Sequence, residues 1–497
     1  MKIRKTDRIA IVGGGTAGLV SALILKTKFP NKQIDVISSK QLGIIGVGEG
    51  VADRWREFMD CVGIDQYDMI AQTDASCKWG ILFTNWTEKP YWHSIQTPYD
   101  LTSAQYRCAY GKLIGDGRDN AGLTCPTLAK GLVPVEFLNN SKKYMANQFH
   151  FDTYKLNNFL TNIAKKKGIN LIDDIIDDVV LDDDGYVKSI VGKHQTYDYD
   201  FYIDSTGFKK IIINKLGAEW QSYSKYLKMK SAIVFQTPEE DTIPGWTLSH
   251  AMDNGWLFRI PTQSRFGNGY IFDTDYINAE QAKLEVEQYF GHEVNINKTL
   301  TFDPGALKNV WIKNCVAIGL SASFVEPLEA SSIATTIQQS FMLAHRLENY
   351  TQPTIDIYNK AASEILENIR DFVILHYLTK KDNTQFWKDV SKIEIPESLQ
   401  SKLNLWKHKL PMQEDFSGLS RHILFWDASF TMVLHGIGHF NVESIKKEYD
   451  ACDQFTKNRV ETTIANHEEY RANIDTIPHK EFLKSIKQYQ TIDQTTY

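Results

Sequence analysis

The segment Arg8–Lys28 reads RIAIVGGGTAGLVSALILKTK and decides the fold of this chain. Its first five residues are apolar enough to predict a short strand, and the residues from Leu19 onward predict a helix. Between them stands a G-x-G-x-x-G turn in the strand–turn–helix setting that the motif requires. We interpret Gly13 as the residue of the tight turn and Gly15 as the place where a pyrophosphate approaches. Gly18 then lets helix and strand pack, and a dinucleotide-binding α/β fold follows.

The helix after the glycines indicates how the cofactor is held. Its first residues, Thr16 and Ala17, direct free backbone N–H groups towards the phosphates. A second strand, predicted at Gln33–Ile37, ends at Ser38 and Ser39, where an acidic residue usually binds the ribose. Serine hydroxyls would make that contact instead. The position of the motif near the start of the chain favours FAD over a transiently bound nicotinamide cofactor.

Three further segments are predicted to return to this cofactor. Gly43–Gly50 reads GIIGVGEG and is either a plain connector or a strap over the flavin, with Gly48 and Glu49 near its tip. A meander of strands ends in Asp204-Ser-Thr-Gly207, a pattern typical of flavoprotein cores, which assigns Gly207 to the cofactor site. Its strands are predicted at Ile176–Leu181, Tyr186–Val191 and Tyr199–Ile203.

The third of these segments, Asn314–Ile333, reads NCVAIGLSASFVEPLEASSI. It begins as a buried strand and stops at Gly319, after which small residues such as Ser321 let the backbone approach a ligand. Ser331 and Ser332 then precede a helical pattern. They either only cap that helix or offer hydroxyls and free N–H groups to a small anion.

Two charged residues are the candidates for catalysis. Lys78 lies between Cys77 and Trp79, just before an apolar strand predicted at Ile81–Phe83. Its ammonium group either reaches solvent or points into a cavity, where burial lowers a lysine pKa and a carboxylate raises it again. Such a lysine can act as a nucleophile or as a directed hydrogen-bond donor. Glu329, beside the two serines, can polarise or hold an electrophile.

Composition narrows the class of protein. The 497 residues carry a formal charge of -6 with a pI near 6.1, which does not suggest a nucleic-acid or membrane partner. The six cysteines form no C-x-x-C pair, so we expect reduced thiols in a cytoplasmic protein, and no metal site. No signal peptide or membrane-spanning stretch is predicted. Aromatic residues at 12% fit a pocket for a planar substrate.

Taken together, these motifs resemble the flavin-dependent halogenases of the tryptophan halogenase family. The similarity covers roughly the first 390 residues by motif order. It includes the glycine turn, the lysine before an apolar strand, and an F-V-E-P-L-E motif that ends at Glu329. Further counterparts are V-G-E at Gly46–Glu49, H-F-D at His150–Asp152, Thr206–Phe208, and R-D-F…H-Y…D-T-x-F-W within Arg370–Trp387.

The family's W-x-W-x-I-P signature departs at one position. It appears here as Trp256-Leu-Phe258-Arg-Ile260-Pro261, with Phe in place of the second Trp. By resemblance, these residues and Pro327 belong to the substrate and tunnel region, which keeps organic substrate away from the flavin. The family usually has S-T-G after the glutamate, whereas this chain has Ala330, Ser331 and Ser332.

The resemblance implies a chemistry. Reduced FAD, O2 and a halide (chloride, bromide or iodide) generate hypohalous acid, which moves through the interior to Lys78. Glu329 polarises the oxidant and accepts the proton lost by an electron-rich aromatic substrate, indole-like or phenol-like. Ser331 and Ser332 hold the halide, with the preferred halide left open. A separate flavin reductase would supply reduced FAD, and the sequence leaves both free tryptophan as substrate and homo-oligomerisation open.

Two alternatives remain. An FAD-dependent aromatic monooxygenase shares the fold, but typically has a G-D motif where this chain has Gly319-Leu320. A non-catalytic FAD-binding protein would need no lysine–glutamate pair. In either case we predict an α/β fold with a Rossmann-like FAD-binding domain of the glutathione-reductase or aromatic-hydroxylase type. Residues 1–75, 150–235 and 300–345 would form it, and residues 76–149, 236–299 and 346–497 the substrate region, mainly helical after 345.

Overall fold

The fold is known from a computed structural model. It describes residues 5–43, 49–52, 54–94, 103–118, 130–135, 148–419 and 421–493. The helices within these ranges are α1 (Thr16–Lys28), α2 (Arg54–Val62), α3 (Gln66–Gln72), α4 (Ser103–Gly115), α5 (Thr153–Lys166), α6 (Ile211–Lys215), α7 (Ala279–Phe290), α8 (Ser331–Ala344), α9 (Gln352–His376), α10 (Gln385–Val390), α11 (Glu397–Trp406), α12 (Asp427–Gly436), α13 (Val442–Asp450), α14 (Gln454–Asn473) and α15 (His479–Asp493).

The strands of the same ranges fall into six sheets. They are β1 (Arg8–Val12), β2 (Gln33–Ser38), β3 (Glu49–Gly50), β4 (Ser76–Lys78), β5 (Gly80–Thr84), β6 (Tyr91–Ser94), β7 (Leu132–Pro134), β8 (Gln148–Phe151), β9 (Asn170–Asp173), β10 (Ile176–Leu181), β11 (Val187–Gly192), β12 (Thr196–Tyr197), β13 (Phe201–Asp204), β14 (Trp220–Ser222), β15 (Ser231–Pro238), β16 (Trp246–Ala251), β17 (Gly255–Pro261), β18 (Arg265–Phe272), β19 (Ile296–Thr301), β20 (Gly305–Leu307), β21 (Trp311–Ile312), β22 (Cys315–Ala317), β23 (Ser323–Phe324) and β24 (Thr476–Pro478).

A six-stranded sheet holds the glycine turn. Its order is β21-β22-β13-β1-β2-β9, and β1 pairs in parallel with both β13 and β2. Strand β1 is an apolar run and is almost fully buried, as expected for a central strand of a parallel sheet that helices cover on both faces. The predicted strand Arg8–Val12 has the predicted bounds. Helix α1 begins at Thr16, three residues before the predicted start, because Gly18 is already helical.

A second sheet has seven strands, in the order β19-β15-β18-β17-β16-β5-β6. Its central strands are antiparallel, whereas β16 and β5 run parallel. Lys78 is not in this sheet. It ends β4, in a three-stranded sheet with β3 and β8, and Trp79 separates it from β5. The predicted α/β class is therefore confirmed, with the lysine on a short strand of its own.

The chain after residue 345 is mainly helical, as predicted. Helix α9 is the longest of these helices, with 25 residues, and its C-terminal half is buried without interruption from Asn368 to His376. Strand β15 (Ser231–Pro238) spans the predicted domain boundary at residue 235, and the division into domains stays a prediction. Among the described residues, no helix is long and apolar enough to cross a membrane.

Candidate active site

The dinucleotide turn shows why glycine is needed at two of its positions. Gly13 has a φ of +118°, a region that L side chains rarely adopt, and a methyl group there would lie 2.2 Å from the Ser205 carbonyl oxygen. At Gly18 a methyl group would lie 1.9 Å from the carbonyl oxygen of Gly13. Both glycines therefore let strand β1, helix α1 and the end of β13 meet at van der Waals distance.

Gly15 is different, because a methyl group there would have no neighbouring atom within 4 Å. Its φ of -74° is also ordinary for any residue. Gly15 precedes α1, whose N-terminus has no side-chain cap, and Thr16 and Ala17 are half-exposed. An open cradle beside free N–H groups fits the pyrophosphate of FAD. These residues can therefore hold the cofactor that the sequence predicts.

This contrast predicts two different defects from the same kind of substitution. Gly18→Ala should lower the melting temperature of the protein, because its methyl group has no space. Gly15→Ala should leave the melting temperature without FAD unchanged and should weaken FAD binding by roughly tenfold or more, about 1.4 kcal/mol. Differential scanning fluorimetry and a flavin-fluorescence titration measure the two effects. Equal FAD affinity for Gly15→Ala and wild type would contradict a pyrophosphate at this position.

The remaining residues assigned to the cofactor are spread around this turn. Gly319 has a φ of +67°, and a methyl group there would lie 2.6 Å from Ala17 Cβ, so the Asn314–Ile333 segment packs on α1. Gly207 also has a positive φ and faces open space. Gly48 lies outside the described residues. Others on this side are Ser38 and Ser39 at the end of β2, both half-exposed, and Glu49 in β3.

Ser321 is fully buried, and its hydroxyl contacts protein groups. It donates to Asp204 Oδ1 at 3.0 Å and lies 3.2 Å from the Gly207 carbonyl oxygen. Asp204 also accepts from the backbone N–H groups of Ile212 and Ile213, at the start of α6. The Asp204 carboxyl group thus links the end of β13 to the start of α6 and to the segment that contains Ser321. The Ser321 side chain has this structural contact, and its role towards FAD stays a prediction.

Two residues of the Asn314–Ile333 segment begin helix α8. Ala330 adopts a left-handed conformation, with a φ of +52°, and α8 starts at Ser331, two residues before the predicted start. No side-chain cap is present at this end of the helix. The serines therefore do not act as ordinary caps, and the first backbone N–H groups have no side-chain partner. Ser331 is buried, whereas Ser332 is exposed.

A cavity of about 60 Å³ lies at this helix start. It is lined by residues assigned from sequence to three different roles: Gly319 to the cofactor, Ser331 and Ser332 to the halide, and Pro327 to the tunnel. Leu366 and Ile369 of α9 close the other side. Pro327 is exposed at this point. The cavity brings these predicted groups to one place.

Glu329 is buried on the opposite side of the same turn. Its Oε2 atom lies 2.6 Å from His93 Nδ1, and its Oε1 atom lies 2.8 Å from His376 Nε2. Burial alone would raise the pKa of Glu329, but the charges of these histidines and their contacts outweigh it and lower the pKa to about 2. The carboxyl group is therefore ionised at neutral pH.

A backbone contact orients the ring of His376. Its Nδ1 atom lies 2.8 Å from the carbonyl oxygen of Phe372, which can only accept a hydrogen bond, so Nδ1 is the donor. The Nε2 atom of the same ring then faces Glu329 Oε1.

Lys78 reaches the same buried region. Its side chain is 1% exposed, so the ammonium group does not extend to solvent. A methyl group on Gly50 would lie 3.5 Å from Lys78 Nζ and 3.5 Å from the Cβ of Ala330, the neighbour of Glu329. Burial lowers the pKa of Lys78 to about 8, while the charge on Glu329 acts in the opposite direction. Lys78 and Glu329 are therefore electrostatically coupled.

Two further histidines support the strand that carries Lys78. His150 is buried beside Lys78, within hydrogen-bond distance of Ser76 (3.1 Å) and Thr247 (2.9 Å). Burial, and then the charge on Lys78, hold the pKa of His150 well below its usual value. His479 of α15 accepts from the Cys77 N–H at 3.2 Å, and burial lowers its pKa to about 4. Both rings are neutral supports, which leaves Lys78 as the cation of this sheet.

A second buried carboxyl group, that of Glu326, contacts strand β17. Glu326 Oε2 accepts from Trp256 Nε1 at 2.6 Å and from the Tyr377 hydroxyl at 2.5 Å. Burial raises the pKa of Glu326 to about 7, although these two donors lower it in part. The ring of Phe258 lies 2.4 Å from where a methyl group on Gly269 would be, so the ring packs over a glycine. Ile260 and Pro261, at the end of the strand, are also buried.

Sequence reasoning missed two of these groups. The sequence does not pair His93 with Glu329, because the two lie 236 residues apart in the chain. The H-Y motif contains His376, but the motif alone indicates no role for it. The Y-W-H triplet at the end of an apolar strand is the signal that points to His93, since a histidine among buried neighbours usually has a polar partner. In the described parts of the chain, no group of three His, Cys, Asp or Glu residues could hold a metal ion.

Comparisons with known proteins agree with this geometry. The sequence model of the family described as tryptophan halogenase matches residues 8–454. Tryptophan 6-halogenase SttH of Streptomyces toxytricini is 28% identical over 95% of this chain and 99% of its own length. The 7-chloro-L-tryptophan 6-halogenase KtzR of Kutzneria sp. is 30% identical over 82% of this chain and 86% of its own. The crystal structure of a tryptophan halogenase from Shewanella frigidimarina superimposes with a TM-score of 0.88, at 26% identity over 97% and 98% of the two chains.

Proposed function

Because this chain belongs to the tryptophan halogenase family of flavin-dependent enzymes, we propose that it halogenates an electron-rich aromatic substrate at Lys78 and Glu329. The observation that carries this proposal is the buried, charge-coupled pair itself. Lys78 is 1% exposed, and Glu329 is held between two histidines beside it. A protein that only binds FAD would gain nothing from enclosing a lysine and an ionised carboxyl group, since burying charge costs free energy.

The cofactor side is proposed to bind FAD through the glycine turn. Gly13, Gly15 and Gly18 shape the cradle, and the N-terminus of α1 faces the phosphates. When bound, reduced FAD would supply the two electrons with which O2 and a halide become hypohalous acid. Gly319 packs against Ala17 at this place, so the segment that ends in Glu329 is joined directly to the cofactor cradle.

The halide is proposed to bind at the start of α8. The uncapped N–H groups of a 14-residue helix favour an anion, and the cavity of about 60 Å³ is lined by Ser331 and Ser332. Pro327 and Gly319 line the same space, so a halide here lies between the proposed cofactor and Glu329. This arrangement favours chloride, bromide or iodide entering from the cofactor side.

We expect Ser331→Gly and Ser332→Gly to change halide competition. Removing a hydroxyl alters the size and the donors of the anion cavity, so the ratio of brominated to chlorinated product at equal halide concentrations should change severalfold. Ser363→Ala, a half-exposed serine of α9, is the matched control and should leave the ratio unchanged. Mass spectrometry measures the product ratio. An unchanged ratio in both glycine variants would remove the halide from this cavity.

Lys78 and Glu329 have different roles: Lys78 acts on the oxidant, and Glu329 accepts the ring proton. Lys78 either directs hypohalous acid by donating a hydrogen bond or reacts with it to give a haloamine, and its pKa of about 8 keeps both forms accessible near neutral pH. Glu329 is a weak base, with a pKa of about 2. The ring proton of a halogenated aromatic cation is strongly acidic, so this carboxylate can still accept it.

Reduced FAD is proposed to come from a separate flavin reductase, because the sequence contains one dinucleotide turn and no further nicotinamide domain. The substrate is proposed to be a small indole-like or phenol-like aromatic compound. The assay decides whether free tryptophan is one of its substrates. The deciding experiment supplies reduced FAD, O2 and a panel of indoles and phenols, with and without halide. Halogenated product that depends on halide supports the proposal. Hydroxylated product would favour an aromatic monooxygenase, and no consumption of reduced flavin would favour a binding protein.

A further inference from the structure

Helices α4 and α13 pack closely through two glycines. A methyl group on Gly111 of α4 would lie 3.2 Å from Tyr449 Cβ, and one on Gly115 would lie 3.3 Å from Lys446 Cγ. The residue number rises from the first contact to the second on α4 and falls on α13. The two helices are therefore antiparallel, and their backbones approach each other at a distance that larger side chains would prevent.

The same register brings two cysteines together. Cys108 lies one turn before Gly111, and Cys452 lies one turn beyond Tyr449, where its N–H still donates to the Tyr449 carbonyl group at 3.0 Å. The Cys452 thiol is close enough to the Cys108 thiol to contribute to the raised pKa of Cys108. A disulfide requires Cα atoms about 4.4–6.8 Å apart, a spacing that close glycine-mediated packing favours.

The two thiols differ in access. Cys108 is 1% exposed, and burial, followed by its contact with Cys452, raises the pKa of its thiol to about 12. Cys452 is half-exposed, and its Sγ atom donates to the Glu448 carbonyl oxygen at 3.4 Å. A small oxidant from solvent therefore meets Cys452 first, with Cys108 placed directly behind it.

We propose that Cys108 and Cys452 are an oxidisable thiol pair that closes to a disulfide when it meets hypohalous acid. Only the source of the oxidant rests on the proposed function. An enzyme that makes hypohalous acid is exposed to any of that acid that leaves its active site. The thiol pair itself follows from the packing of α4 and α13. The bond would join α4 to the C-terminal helices. Helix α4 follows β6, the strand that carries His93.

The reaction balances in two steps. Cys452–SH reacts with HOX to give Cys452–S–X and water. The sulfur of Cys108 then displaces halide, forming the S–S bond and releasing X⁻ and a proton. Two thiols are oxidised by two electrons in total, and the halogen is reduced to halide. Oxidation of Cys452 also removes its contribution to the high pKa of Cys108, which assists the second step.

The test uses the full-length protein, reduced and free of substrate, with about one equivalent of hypochlorous acid added. We expect the intact mass to fall by about 2 Da, the two thiol hydrogens, and dithiothreitol to restore it. Peptide mapping under non-reducing conditions should identify one cross-linked peptide that contains Cys108 and Cys452. A second sample treated with hydrogen peroxide shows whether the pair also responds to that oxidant, with the same cross-link expected more slowly.

Serine variants test the pair without depending on halogenase activity. Cys452→Ser and Cys108→Ser should each lose the cross-link, and the half-exposed position of Cys452 keeps the first of them folded. Cys61→Ser is the matched control, because Cys61 is also half-exposed but faces Lys28 and Lys167 instead of a thiol, and it should retain the cross-link. Oxidation of Cys452 to sulfinic or sulfonic acid without the bond, or a cross-link to another cysteine, would overturn the proposal. Because the oxidant is added, an inactive enzyme does not affect the result.

Discussion

Replacing Lys78 with alanine should abolish halogenated product while reduced flavin is still consumed. The substitution leaves the glycine turn and α1 intact, so O2 is still reduced at the cofactor. The oxidant then reaches a site without its amine, and we expect product formation to fall by roughly 10³-fold or more, the upper end for removing one directed donor. Product is measured by mass spectrometry and flavin oxidation by absorbance, in the same reaction.

The variant should remain folded, because Glu329 keeps its other buried contacts. His93 and His376 still contact both carboxylate oxygens when the lysine is absent. Lys78→Met, which keeps the length of the side chain without the amine, should be as inactive as alanine. Lys388→Ala, an exposed lysine of α10, serves as the matched control and should retain full product formation. Product at the wild-type rate in either Lys78 variant would remove Lys78 from the mechanism.

The burial of Lys78 could not be predicted from its own neighbourhood in the sequence. A lysine between Cys77 and Trp79 fits a solvent-exposed position as well as an internal one. What encloses it comes from distant parts of the chain, namely β8 with His150 and helix α15 with His479. The glycine turn is the opposite case. Its requirements are local, since a positive φ at Gly13 and a close carbonyl group at Gly18 follow from the turn itself.

The candidate site also combines residues that a local motif identifies with residues that come from distant parts of the chain. The uncapped start of α8 belongs to one continuous segment, so its Glu329, Ser331 and Ser332 could be identified together from sequence. The histidines that contact Glu329 come from β6 and from the end of α9, and only the folded packing of these elements brings them to one carboxyl group. A motif therefore identifies the candidate carboxyl group, whereas tertiary contacts determine its pKa.

Glu329→Gln should reduce turnover by roughly 10²-fold or more, because the amide can neither accept the ring proton nor carry the charge that faces Lys78. The same substitution should lower the pKa of Lys78, since the charge on Glu329 acts to raise it. If the ammonium form of Lys78 directs the oxidant, activity falls as pH rises through its pKa, and this fall should begin at a lower pH in the variant. A rate–pH profile of product formation measures both effects.

Glu397→Gln, at the exposed start of α11, is the matched control and should leave rate and profile unchanged. If residual activity in Glu329→Gln instead increases with pH, the free amine of Lys78 is the reacting form, and a haloamine is favoured over a directed hydrogen bond. Turnover at the wild-type level would make Glu329 a structural partner of His93 and His376. The charges of Lys78 and Glu329 are coupled, so Glu329→Gln reports on the protonation of Lys78. The Lys78→Ala variant cannot give this information, because it removes the lysine.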